Sequence, residues 1–199
     1  NASATGELLW RLANCCGWNV PPAGLQALYV AIVTDTGQFS YSNTSTRILR
    51  MAADLVERGV DPEAIWQKVY LNKSRTELEL ESRARASLLC RAVGRICCIS
   101  LSNTDFTETG TGPQHTEELA QIPRMLTGVQ LSLFFYEVDG GKRTKVSFRS
   151  VRALDARSLA QKFGGGGHMQ AAGCVVDAPL APAMERVLAA AEAYVAESR

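Results

Sequence analysis

The sequence predicts an α/β protein, with a helical front half and an α+β back half built on a mixed sheet. Three observations carry this. Residues 1–72 read as apolar stripes of helical period, cut by Gly17, Pro21-Pro22, Gly59 and Asp61-Pro62. From Val93 the pattern changes to short runs of β type, of which Val129–Val138 and Lys142–Arg149 meet across Asp139-Gly140-Gly141. Helical period then returns in Leu154–Phe163 and Pro182–Glu197.

Taken in order, Thr5–Asn14 is expected to be a helix capped by Ser3 or Thr5, with Glu7 in its first turn and an apolar stripe of Leu8, Leu9 and Leu12. Pro21-Pro22 start a second helix whose Ala23–Val33 are apolar nearly all round, the pattern of a buried element. The polar turn Thr34–Ser45 follows, carrying one carboxylate, Asp35. Directly after a buried helix such a carboxylate needs a partner, either backbone N–H groups or a metal ion, because an unpaired buried charge is costly. Thr44 or Ser45 starts a third helix through Arg58, and Asp61-Pro62 a fourth through Tyr70. Ser74–Ala92 alternates Glu77, Glu79 and Glu81 with Arg75, Arg83, Arg85 and Arg91, and reads as a solvated helix connecting two modules. The organisation expected is therefore 1–72, a connecting helix 73–92, and 93–199.

In the back half Arg95–Leu101 is a strand candidate, Asn103–Gln114 a polar loop and Thr116–Met125 a helix. The hairpin, the helix Leu154–Phe163, a glycine loop, a strand at Cys174–Asp177 and the Ala-rich closing helix complete the chain. No internal repeat or low-complexity tract interrupts it.

With 199 residues and 46% hydrophobic content the chain is globular rather than disordered. A net charge of +1 gives no global field for gripping long nucleic acid or an anionic membrane, and leaves room for a local basic patch. No apolar run approaches the ~20 residues that span a bilayer, and the opening carries no secretory signal pattern. The chain starts at Asn1 in helical pattern, which points to a longer protein. The six cysteines, Cys15-Cys16, Cys90, Cys97-Cys98 and Cys174, form no C-x-x-C unit, so metal fingers and disulfide frameworks are not expected. Buried thiols in a reducing cytoplasm fit this usage.

The stretch Phe163–Cys174 is the strongest candidate for chemistry. Gly164, Gly165, Gly166 and Gly167 contribute no side chain and lose much backbone entropy on folding, so they point to left-handed backbone or to a close approach. A run of exposed N–H groups makes an anion-binding concavity, and His168 adds an imidazole donor beside it. In Lys145–Ser150, alternation sets Val146 and Phe148 on one face and Ser147 and Arg149 on the other. Arg149 supplies a planar fork for phosphate. Ser147, Arg149 and His168 with the glycine N–H groups would then form a terminal-phosphate pocket.

These stretches, together with Thr34-Asp35-Thr36-Gly37-Gln38-Phe39 and Asn43-Thr44-Ser45, resemble the DHH (Asp-His-His) phosphoesterase family with its associated C-terminal domain. Within the family they look most like the bacterial branch that degrades very short RNA and dephosphorylates 3′-phosphoadenosine 5′-phosphate. The resemblance implies that 1–72 is the C-terminal portion of a DHH domain and that 93–199 is the substrate-binding associated domain. It implies a hydrolase of exonuclease (oligoribonuclease) type with a two-metal manganese site, Asp35 as one Mn2+ ligand, and Ser147, Arg149, Ser150, Gly164–Gly167 and His168 as substrate-binding residues. Short RNA or a mononucleotide is the implied partner, with no membrane, a cytoplasmic location and room for a homodimer. The family's earlier motifs, the Asp-His-His triplet among them, have no counterpart here. The two histidines, His115 and His168, both follow Asp35. One aspartate cannot hold two ions, so the intact enzyme, and not this chain alone, is expected to hydrolyse. The competing reading is a module that binds RNA or nucleotides without cleaving them. A dinucleotide fold is disfavoured, because the glycines follow a helix and precede a strand.

Overall fold

The computed structural model describes residues 4–151 and 154–198. It divides into two compact units, Asn1–Lys73 and Ser74–Arg199. Ser3, one of the two caps expected for the first helix, lies outside the described residues.

The first unit is helical: α1 (Thr5–Cys15), α2 (Pro22–Asp35), α3 (Thr46–Glu57) and α4 (Pro62–Tyr70). Ser45 caps α3 by accepting from the Ile48 N–H, and Asp61 caps α4 by accepting from Glu63 and Ala64. At α1 the expectation fails twice. Ala4 occupies the cap position with no side-chain bond. The helix buries Gly6, Glu7, Trp10 and Ala13, while Leu8, Leu9 and Leu12 stay about half exposed at 53%, 54% and 46%. Close packing decides the face: a Cβ on Gly6 would stand 2.9 Å from the Ala31 Cβ of α2, so only the glycine side can lie that near. Trp10 then fills the core beneath the Arg58 guanidinium, 4.6 Å from its ring. Glu7, buried at 2%, is held by Arg47 Nε at 2.8 Å. Ile32, Ile48 and Leu55 form the fully buried centre.

The second unit carries a six-stranded sheet in the order β1-β2-β3-β4-β6-β5. Its strands are β1 (Leu89–Arg91), β2 (Ile96–Leu101), β3 (Leu131–Val138), β4 (Arg143–Ser150), β5 (Gly166–His168) and β6 (Ala171–Val176). Among the described residues only β2 and β3 pair in parallel, so the sheet is mixed as expected. One face, bearing Leu131, Leu133, Phe135, Val146 and Phe148, packs on α7 (Ala156–Gln161) and α8 (Leu180–Glu197). The other face, bearing Ile99, Leu101, Phe134 and Tyr136, packs on α5 (Arg75–Ala86), α6 (Asn103–Thr109) and a 3-10 segment at Leu119–Met125.

Four expectations change here. The helix of 73–92 ends at Ala86, because Ser87 turns the chain into β1; its Leu80 and Ala84 are fully buried against the sheet, so it is a packed layer and not a solvated connector. The polar loop 103–114 contains α6, started by a capping box in which the Ser102 hydroxyl accepts from Asp105 N–H and the Asp105 carboxylate accepts from Ser102 N–H. The helix expected at Thr116–Met125 is a 3-10 segment, with Pro123 inside it to prevent a regular α-helix. Finally, Cys90 and Cys97 form a disulfide. They are direct partners in the β1–β2 register, which brings together two cysteines whose spacing in the chain gave no such sign. The buried-thiol expectation holds for Cys98 and Cys174, both pushed up to about 11 by burial, and fails for Cys15 and Cys16, which are exposed at the end of α1.

Candidate functional site

Strand β4 sets the geometry. Its Thr144, Val146, Phe148 and Ser150 point into the core under α7 and α8, and Lys145, Ser147 and Arg149 point to the opposite face. The 3-10 segment covers that second face over β2 and β3 and reaches β4. At this margin Pro113, Gln114, Thr116, Glu117, Ala120, Phe134, Tyr136, Lys145, Ser147 and Arg149 line a cavity of about 460 Å³. Phe134 and Tyr136 come from β3, and Gln114, Thr116 and Glu117 from the segment that precedes Leu119–Met125.

Register extends the same face sideways. Arg149 pairs with Ala171 of β6, and Ala171 pairs with His168 of β5. Directly paired residues share a face, so Arg149 and His168 look the same way from strands two spacings apart, roughly 10 Å. Ser147 pairs with Gly173, which pairs with Gly166, in the row beside it. Ala171 and Gly173 leave a low floor between the arginine and the exposed imidazole. Arg149 Nη1 donates to the Phe148 carbonyl at 3.1 Å, which folds the guanidinium against its own strand.

Two expected participants do not join this face. The Ser150 side chain is buried at 2% on the core side, where its hydroxyl donates to the Leu154 carbonyl at 2.7 Å. Alternation with Arg149 puts it there, and it is not available to a ligand on the cavity side. The glycine run is not a row of open N–H groups either. Gly164 N–H donates to Gln161 O at 3.1 Å and Gly165 N–H to Ala160 O at 3.0 Å, closing the end of α7. Gly166 and Gly167 belong to β5. Glycine is required at 165 for proximity: a Cβ would meet the Gly173 carbonyl oxygen at 2.2 Å and Cys174 Cβ at 2.5 Å.

Reading the sequence missed Lys145, which the same alternation that selected Ser147 and Arg149 would have included. It also missed the wall at residues 113–117, which no local pattern brings to β4.

In the first unit Asp35 is the last residue of α2, and it is exposed. The expectation that burial obliges it to find a partner therefore fails. Its neighbour Thr36 is the buried group, donating to Ile32 O at 2.5 Å and accepting from the Phe39 N–H at 3.2 Å. Gly37, Gln38 and Phe39 are all left-handed, with φ of 53°, 56° and 64°. This strained turn is held by the Tyr41 N–H on Thr36 O at 2.9 Å and by Asn43 Nδ2 on Asp35 O at 3.0 Å. Among the described residues no group of three His, Cys, Asp or Glu side chains could hold a metal ion. Asp35 supplies one ligand at most, so the donor set of this chain does not by itself fit a two-metal site.

The chain is 27% identical to the bifunctional oligoribonuclease and PAP phosphatase NrnA of Thermus thermophilus over 94% of its length, and 24% identical to the NrnA of Bacillus subtilis over 88%. It spans 56% of each, a little over half the length of these relatives. A crystal structure of an exopolyphosphatase-related protein from Bacteroides fragilis superposes with a TM-score of 0.85 at 27% identity, covering 98% of this chain and 56% of that one. The DHHA1 domain family matches residues 95–197, from the turn before β2 through the last turn of α8. Because that match takes in just over half of the chain, β2 to β6 together with α6, α7 and α8, the chain belongs to the DHHA1 domain family.

Proposed function

We propose that this chain is the substrate-holding part of a metal-dependent phosphoesterase that hydrolyses short oligoribonucleotides, 3′-phosphoadenosine 5′-phosphate, or both. The observation that carries the proposal is the shared face of Ser147, Arg149 and His168, fixed by strand register across β4, β6 and β5. A guanidinium and an imidazole roughly 10 Å apart above a floor of small residues suit the anionic end of a nucleotide. Holding a chain end sets register for the reacting bond and needs few cations, which agrees with a net charge of only +1. The names of the Thermus and Bacillus relatives point to the same substrates.

Asp35 is assigned the role of one manganese ligand, in company with further ligands that the described residues do not supply. A cytoplasmic location belongs to the proposal as well, and the Cys90–Cys97 bridge is the feature that argues against it. No helix among the described residues is long and apolar enough to cross a membrane.

Calorimetry with adenosine 5′-monophosphate tests the holding role. Saturable binding is expected, weakened roughly ten- to a hundredfold by Arg149→Ala, the scale of a lost charge-assisted contact. An Arg149→Ala chain that binds as well as the unaltered one would remove the reading. The same chain with Mn2+ and a labelled short RNA should release no mononucleotide, and release would overturn the division of labour.

A further inference from the structure

We propose that Lys145 is a second anion-holding residue of the β4 cavity, placed at the end opposite Arg149, so that the site selects ligands bearing two separated anionic groups. This rests on the nucleotide-holding role given to Arg149 and adds a specificity element to it. Lys145 and Arg149 both line the same cavity and sit four residues apart on one face of a strand, roughly 13 Å between their Cα atoms. Two long side chains could still converge on a single phosphate, but each is tethered at its own end. Lys145 Nζ lies 5.6 Å from the ring centroid of Tyr136, its direct cross-strand partner. Arg149 Nη1 is drawn back to Phe148 O.

The lining between the two cations is neutral and polar. Ser147 stands midway along the strand, paired with Phe134 across it, and Gln114 and Thr116 line the same cavity. Cation, neutral hydrogen-bonding middle, cation is the pattern that a sugar carrying phosphates on both sides requires. Among the described residues Glu117 is the one carboxylate lining the cavity. It leaves a net positive charge of one from Lys145, Arg149 and Glu117, enough to favour anions without fixing many phosphates.

The test compares adenosine 5′-monophosphate with adenosine 3′,5′-bisphosphate on the whole 199-residue chain. The bisphosphate is expected to bind roughly tenfold more tightly, the scale of one further charge-assisted contact. Lys145→Met keeps the apolar stem over Tyr136 and removes the charge. It should abolish that advantage while leaving monophosphate affinity within about twofold, and Lys145→Arg should restore it. Arg149→Ala should weaken both ligands. Equal loss for both ligands in Lys145→Met, or no loss for either, overturns the proposal. If the monophosphate binds and the bisphosphate gains nothing, the second subsite fails while the nucleotide role of Arg149 stands. If neither ligand binds the unaltered chain, both ideas fall together.

Discussion

Gly165 and Gly166 are adjacent and chemically identical, yet their surroundings give them opposite tolerances. A methyl group at 165 would overlap the backbone of β6, at 2.2 Å from Gly173 O. At 166 nothing lies within 4 Å. Gly165→Ala should therefore cost about 2–3 kcal/mol through overpacking against an immovable backbone. Gly166→Ala should stay within about 0.5 kcal/mol of the unaltered chain. Urea unfolding of the two variants measures both; equal stability would mean that β5 does not lie on β6 as described. The sequence marks these four glycines as special but does not distinguish them. Glycine is depleted in strands, so β5 carries no strand signal of its own, and only the returning segment Ala171–Val176 reveals why small residues are needed. The same limit applies to Ser150. Its neighbour Arg149 reads correctly by alternation, and the same alternation, applied one residue further, turns Ser150 into the core.

Among elements, α6 shows how a short helix hides in a polar stretch. Ser102 and Asp105 form a reciprocal cap, and Arg83 of α5 reaches the Asp105 carboxylate at 3.3 Å and Glu108 at 2.5 Å. The Ser-x-x-Asp spacing was legible, but Thr, Asn and Gly around it read as loop. Burial alone would raise the Asp105 carboxyl, and the Ser102 hydrogen bonds with the Arg83 guanidinium more than offset it, holding the group below the ordinary carboxylate value. A folded value below the unfolded one adds stability in full above the unfolded value, about pH 4, and this is lost as pH falls through the folded value. Asp105→Ala should therefore lower stability by about 1 kcal/mol at pH 7, the usual scale for a cap. Thermal melts should bring the two chains together as pH drops below about 4. A constant gap down to pH 2 would show that the loss is one of packing and not of charge. In α1 the failure is of another kind. Leu8, Leu9 and Leu12 make the more obvious apolar stripe, and a single glycine, through the closeness it permits to Ala31, turns the helix onto its other side.

At the scale of the molecule, the change of pattern near Val93 looks like the start of the back-half module, whereas the compact unit begins at Ser74. Periodicity registers where helix gives way to strand, and it cannot register which later residues a helix packs against. The fully buried Leu80 and Ala84 share a core with Ile99, Leu101, Phe106 and Phe134, so α5 completes one face of the sheet. Strand β1 completes its edge, joined to β2 by Cys90–Cys97. A fragment of residues 74–199 should accordingly unfold in one cooperative transition and bind adenosine 5′-monophosphate as the whole chain does. A fragment of residues 93–199 loses α5, β1 and the disulfide together. Losing Leu80 alone should cost about 2–5 kcal/mol, a large share of the ~5–15 kcal/mol typical of a domain. The bared Ile99 and Phe134 would add an exposed apolar patch. The shorter fragment should therefore aggregate or lack a cooperative melt in circular dichroism. A 93–199 fragment that melts sharply within a few degrees of 74–199 would show that the sheet does not need the helix laid across it, and would return α5 to the role of a connector.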